Sequence, residues 1–229
     1  MAVRKKVSRG YARPSKLSFP EEVKIHDWLH PLIEAYYMVD RGIAEAIRRE
    51  EKKKRTVACK KGCSSCCKTH QTIPVYPLEL VGISWYVTEK LRSAEREVLK
   101  QQLRSHREND PCPFLLNGSC LVHPMRPIAC RQFIVFGETC AENEDPYYTR
   151  QQDVLPSVKN YVDHAFFIML PFYGVNDEKE RWRLIENKAV HKLVKLIQTC
   201  KWDSLADKMD DFDRLKTGSQ GSLSTVKDR

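Results

Sequence analysis

Nine residues, Cys59-Lys-Lys-Gly-Cys63-Ser-Ser-Cys66-Cys67, hold four of the nine cysteines of this 229-residue chain. The stretch is too polar and too small to be core. Thiols packed this closely can serve a soft divalent ion or an iron–sulfur cluster, either of which gathers several thiolates at once. A second set follows at Cys112, Cys120, Cys130 and Cys140. The two sets are expected to converge on a shared inorganic centre. The expected fold class is mainly α, with helices bracing an irregular cysteine-rich metal-binding core.

The redox setting decides how such cysteines are read. No run approaches the ~18 apolar residues that a membrane span needs. The basic N-terminus has neither an apolar segment nor a small-residue cleavage site. A cytoplasmic location and no membrane association are therefore expected. In a reducing compartment clustered cysteines serve metals rather than disulfides. Cys200, remote from the clusters in an apparent helix, is expected to be a small buried hydrophobe.

The formal charge of +9 is concentrated. Met1–Lys16 carries Arg4, Lys5, Lys6, Arg9, Arg13 and Lys16 and no acid, and Lys52–Arg55 leads into Lys60 and Lys61. Such stretches suit an acidic protein or nucleic acid, or act as solvated ends. Along the sequence no alternation of aromatic and basic residues and no nucleic-acid motif favours the former.

In chain order, residues 1–17 are expected to be a disordered basic tail. Residues 18–216 are expected to form a single mainly helical domain with its cysteine core at 56–140, and residues 217–229 a flexible tail. Ser18-Phe-Pro-Glu21 has capping-box spacing. It opens a helix with an apolar stripe through Val23, Trp28, Leu32, Tyr36, Ile43 and Ile47, kinked or divided at Pro31. Further helices are expected over Leu78–Leu91 and over Ser93–His106, the latter with Val98 and Leu103 inward. Three more are expected over Asp153–Met169, Glu178–Thr199 and Asp203–Leu215. Cys112–Cys140 has no sustained period, although Phe114–Leu116 and Phe133–Phe136 suit brief strands.

Cys63-x-x-Cys66 is a chelating separation, with Gly62 easing the turn. Cys66 and Cys67, as neighbours, are expected to point apart and so to serve different sites, or one of them to be structural. Eight cysteines suffice for two four-thiolate sites or for one cluster with spare thiols. Four thiolates around Zn²⁺ or [4Fe–4S]²⁺ leave a charge near −2. Arg126 and Arg131, which bracket Cys130, are expected to offset it from just outside the ligands. His70 is a weaker ligand candidate. Cys120-x-x-His123 has ligand spacing, but thiolates are already abundant.

The string Cys59…Cys63-Ser-Ser-Cys66-Cys67, with Cys112-Pro-Phe-Leu, Gly118-Ser-Cys120 and Arg126-Pro-Ile-Ala-Cys130-Arg131, resembles the YkgJ-type cysteine-cluster family. That family is described as zinc- or iron-chelating and has been linked to the cysteine-rich core of flagellin lysine N-methylases. The resemblance spans residues 59–131 and implies ligands among Cys59, Cys63, Cys66, Cys67, Cys112, Cys120 and Cys130; Cys140 is added by proximity. The implied cofactor is a [4Fe–4S] cluster or zinc, with a slight preference for the cluster, and the implied role is redox or structural. A protein-modifying methyltransferase and a zinc-supported nucleic-acid-binding module are the alternatives. No phosphate-binding loop, Gly-x-Ser-x-Gly elbow, His-Glu-x-x-His or S-adenosylmethionine pocket is evident, so no catalytic residue is assigned.

Overall fold

A computed structural model describes residues 13–92 and 94–221. Most of the basic tail expected at 1–17, and residues 222–229, lie outside that range. In chain order the elements are α1 (Pro20–Ile25), α2 (Leu29–Lys52), α3 (Ser65–Thr69), β1 (Pro74–Val75), α4 (Pro77–Trp85) and α5 (Glu95–Ser105). Then follow β2 (Leu115–Leu116), β3 (Ser119–Cys120), α6 (Ile128–Gln132), α7 (Pro146–Thr149), α8 (Lys159–Met169), α9 (Glu178–Glu186), β4 (Lys195–Leu196) and α10 (Asp203–Gly221). The mainly helical expectation therefore holds. The described residues sort into two compact units, 13–60, 130–140 and 146–190 in the first and 61–92, 94–129, 141–145 and 191–221 in the second.

The first unit is built on α2. Leu29, Leu32, Ile33, Tyr36, Val39, Ile43 and Ile47 recur at helical spacing and are all buried. They form the continuous apolar stripe that makes a helix hold to a core. Ser18 does not cap: α1 starts after Phe19 with no side-chain cap and has Pro20 in its first turn. The break falls at His26–Trp28, and Pro31 sits in the first turn of α2, where its missing N–H costs nothing.

Helix α8 packs on α2 at Gly42, over which the Tyr161 ring lies. The Tyr161 hydroxyl donates to Glu45, one turn along α2. A methyl group at position 42 would come within 2.6 Å of Tyr161 Cδ2. Alanine is favoured over glycine in a helix by about 1 kcal/mol, but overpacking costs about 1–3 kcal/mol. The clash should prevail, so Gly42→Ala is expected to be less stable in urea unfolding, whereas a site free of steric crowding would be stabilised.

Two of the expected helices are shorter than their apolar periods suggest. Pro156 keeps α8 from starting at Asp153; Gln151–Asp153 is a 3-10 turn and Val154 pairs with Val135 in a bridge. Helix α9, capped by the Asp177 carboxylate accepting from the Glu180 N–H, ends at Glu186. Beyond it Lys188 adopts φ 61°, a left-handed conformation that stops a helix.

In the second unit α5 and α10 pack together. Leu99 and Leu103 are buried, but Val98 is 48% exposed, against expectation. Arg96 and Lys100 share the buried side of α5, because each reaches a carboxylate on α10. Arg96 Nη2 donates to Asp213 at 2.9 Å, and Lys100 Nζ lies 2.8 Å from Asp210 and 2.7 Å from Asp213. Burial alone would lower the Lys100 pKa, yet the hydrogen bonds to Asp210, Asp213 and Glu97 outweigh it and raise it. Helix α10 runs through Gly221, beyond the expected end at Leu215 and into the stretch expected to be a flexible tail.

Candidate metal centre

Gly62, at φ +84°, turns the chain into α3, which carries Cys66 and Cys67. Because α3 is helical, successive side chains diverge by about 100° rather than the near-opposition of a strand. The two thiols hydrogen-bond to one another, contrary to the expectation that they point apart. A backbone bond from the Cys112 N–H to the Cys67 carbonyl at 2.7 Å ties the second cysteine segment to the first. The Asn117-Gly118 turn, with φ 50° and 73°, then folds β2 onto β3 and sets Cys120 opposite Leu115. Asn-Gly between short apolar pieces is a strong hairpin signal, and sequence reading passed over it.

The outcome is a four-thiol group with Cys67 at its centre, where Cys112, Cys120 and Cys66 are the alternative acceptors for its single S–H proton. Hydrogen bonding to them and burial push the Cys67 pKa up, since its proton is the one shared. Cys66 moves the other way, to about 7, chiefly through the hydrogen bond from Cys67 and with help from the Arg126 charge. Cys120 is lowered for the same two reasons. Burial of the Tyr86 phenol and the proximity of Cys120 raise the pKa of Tyr86, which lies on the π-type turn that extends α4 from Tyr86 to Lys90. Such turns recur at functional sites, but no sequence pattern marks this one. In reduced, metal-free protein Cys66 is expected to alkylate first, half-maximally near pH 7. Removing the cation with Arg126→Ala should raise that midpoint, as peptide mapping after a pH-stepped label would show.

Cys63 is exposed, with its thiol 3.9 Å from the Ser65 hydroxyl. Cys59, Cys130 and Cys140 belong to the first unit. There the Cys59 sulfur accepts the Val135 N–H at 3.3 Å, beside the Ala58 N–H to Val135 carbonyl bond of 2.8 Å. Arg131 is buried at 3% exposure, with Nη1 2.7 Å from Asp40 and its guanidinium 4.0 Å from the centre of the Tyr36 ring. Cys200 is not in a helix; it follows a 3-10 turn and its thiol donates to the Leu196 carbonyl.

The polar surroundings in the second unit also include His70 at the end of α3. Its Nδ1 lies 3.2 Å from Asp145 Oδ2, and its carbonyl accepts from Gln198 Nε2 at 2.5 Å. Burial lowers its pKa, and Asp145 partly offsets this. His123 is exposed with Nδ1 3.2 Å from Arg126 Nη1. Among the described residues no group of three or more His, Cys, Asp or Glu side chains is placed so that it could hold a metal ion, so the thiols around Cys67 would have to rearrange to ligate one.

A largely helical fold with four thiols gathered on short, irregular segments is similar in its parts to the broad class of cysteine-cluster metal-binding proteins. Residues 58–152 match the model of the CxxCxxCC family, whose description reads "Putative zinc- or iron-chelating domain". The matched stretch contains all eight clustered cysteines. No curated protein and no solved structure matches the chain. Among the described residues no helix is long and apolar enough to cross a membrane.

Proposed function

We propose that Cys66, Cys67, Cys112 and Cys120 hold a metal centre in the second unit, with Arg126 offsetting part of its negative charge. The observation that supports this reading is the joining of the two cysteine segments, in which the Cys112 N–H donates to the Cys67 carbonyl at 2.7 Å and the hairpin that follows sets Cys120 opposite Leu115. Four thiolates form a complete ligand set for either zinc or a [4Fe–4S] cluster. A cluster is the better fit to the vicinal pair, because each of its irons is a separate point of attachment while a single ion requires one tetrahedron of ligands. Such a centre joins the segment around residue 66 to the hairpin around residue 118, so it holds the fold together whether or not it also carries electrons.

Metal and acid-labile sulfide measured on protein purified without oxygen test both parts. Iron and sulfide in roughly equal amounts, about four of each per chain, with broad visible absorption, are expected. A colourless protein with one zinc would overturn the cluster and leave the thiolate site. A folded protein free of both metals would overturn the site itself.

A further inference from the structure

We propose that the end of the first unit where α2 stops binds single-stranded nucleic acid, with the last turns of α2 facing phosphates and Tyr147 and Tyr148 stacking on bases. Residues 48–55 hold six cations against Glu50 and Glu51. Three of those cations are engaged internally: Arg49 pairs with Glu45, Lys53 Nζ lies 2.8 Å from Glu50, and Arg55 Nη1 lies 2.7 Å from Glu50. Arg48, Lys52 and Lys54 remain exposed on the same helix end. Cations are common in a last helical turn because they oppose the helix dipole, so charge alone identifies no ligand.

The second observation is aromatic. Tyr147 and Tyr148 on α7 are 50% and 73% exposed, with ring centres 5.1 Å apart and planes at 88°. Sequence separates them from α2 by over ninety residues, but the fold closes that gap. Arg55 Nη2 donates to the Gln152 carbonyl at 2.6 Å, just beyond α7. The Phe136 N–H donates to the Asp153 carbonyl and the Gly137 N–H to the Thr56 carbonyl, both at 2.8 Å. Three segments, around residues 56, 136 and 152, therefore run side by side, so that α7, which ends three residues before Gln152, lies near the end of α2 in the fold. Asp153, at this junction, is engaged by Arg55 and Arg150, and Glu50 by Lys53 and Arg55. Glu138, Glu142, Glu144 and Asp145 precede α7 in the chain, so the phosphate contacts are assigned to α2.

Exposed aromatic faces beside a cationic track suit unpaired bases, whose π-faces are open; in a duplex they are hidden. This inference is independent of the metal reading. The test is fluorescence anisotropy of the full-length protein with oligouridine and oligothymidine of about 15 nucleotides, the upper range of one such site. Binding at low salt is expected, weakened about tenfold by Tyr148→Ala and preserved by Tyr148→Phe, because stacking needs the ring and not the hydroxyl. The pair Lys52→Ala and Lys54→Ala should flatten the dependence of log Kd on log salt by about 1.4, for two phosphates on a single strand. Circular dichroism checks that each variant folds. The inference fails if neither oligonucleotide binds at low salt. It also fails if duplex, heparin or anionic vesicles bind as tightly and Tyr148→Ala makes no difference.

Discussion

Replacing Cys67 with serine is expected to empty the proposed metal centre and to unfold the second unit at temperatures the parent withstands. Cys67 is the thiol whose proton each of Cys66, Cys112 and Cys120 can accept, so no other single change removes as many contacts within the group. Serine retains a hydroxyl but not the soft, readily ionised donor that zinc and iron–sulfur clusters prefer. Loss of residues outside the ligand shell costs about 10–100-fold in metal affinity, and loss of a ligand should cost more. In small thiolate modules the metal contributes about 10–16 kcal/mol of apparent folding free energy. A typical domain is stable by only about 5–15 kcal/mol, so a sizeable fraction of that contribution decides whether the unit folds. Elemental analysis and thermal unfolding of Cys67→Ser measure both effects. Cys200→Ser is the control, since its thiol bonds a backbone carbonyl away from the group, and it should keep its metal. Equal metal content and equal Tm in Cys67→Ser and the parent would refute the assignment.

How much of this could be read from the chain differs by feature. The stripe of α2 is plain in sequence because seven large apolar residues repeat with the helical period, and nothing interrupts them. The sequence marks two thiol-rich segments, but nothing in its spacing says that Cys59, Cys130 and Cys140 belong to one unit and Cys66, Cys67, Cys112 and Cys120 to the other. What is lost is mostly decided by single backbone positions. Lys188 has no side-chain chemistry that announces a left-handed φ, so the apolar residues beyond it look like a continued helix. Val98 and Leu99 are equally apolar, and the choice between them is made by Arg96 and Lys100, whose partners lie on α10. Arg131 stands beside a cysteine in sequence, yet its guanidinium is engaged by Asp40 and Tyr36. Tyr86, His70 and Asp145 belong to no recognisable spacing; their roles depend on packing that only the fold supplies.

Glu79 is the residue of this kind with the largest expected consequence for stability. It is fully buried, and each carboxylate oxygen accepts a different backbone donor. Oε2 takes the Tyr76 N–H at 2.9 Å, at the start of α4, and Oε1 takes the Ile128 N–H at 2.7 Å, at the start of α6. An anion between two helix N-termini meets both unpaired donors and both positive dipole ends. In sequence it is simply an acid in the first turn of α4, a place where acids are common; its second partner is 49 residues away. Glu79→Leu would leave two buried donors unpaired at about 1–3 kcal/mol each. The combined cost of about 2–6 kcal/mol corresponds to a Tm lower by roughly 5–20 °C for a chain of this size. Glu79→Gln keeps one acceptor and turns an NH₂ group towards the other donor, so about half the loss is expected. The order parent, Gln, Leu is the signature of a double cap, and a leucine variant as stable as the glutamine one would refute it. Arg126, two residues before Ile128, is the cation that lowers the pKa of Cys66 and Cys120. Loosening the start of α6 should therefore also weaken metal retention, which a chelator-competition assay on Glu79→Gln would detect even where the fold survives.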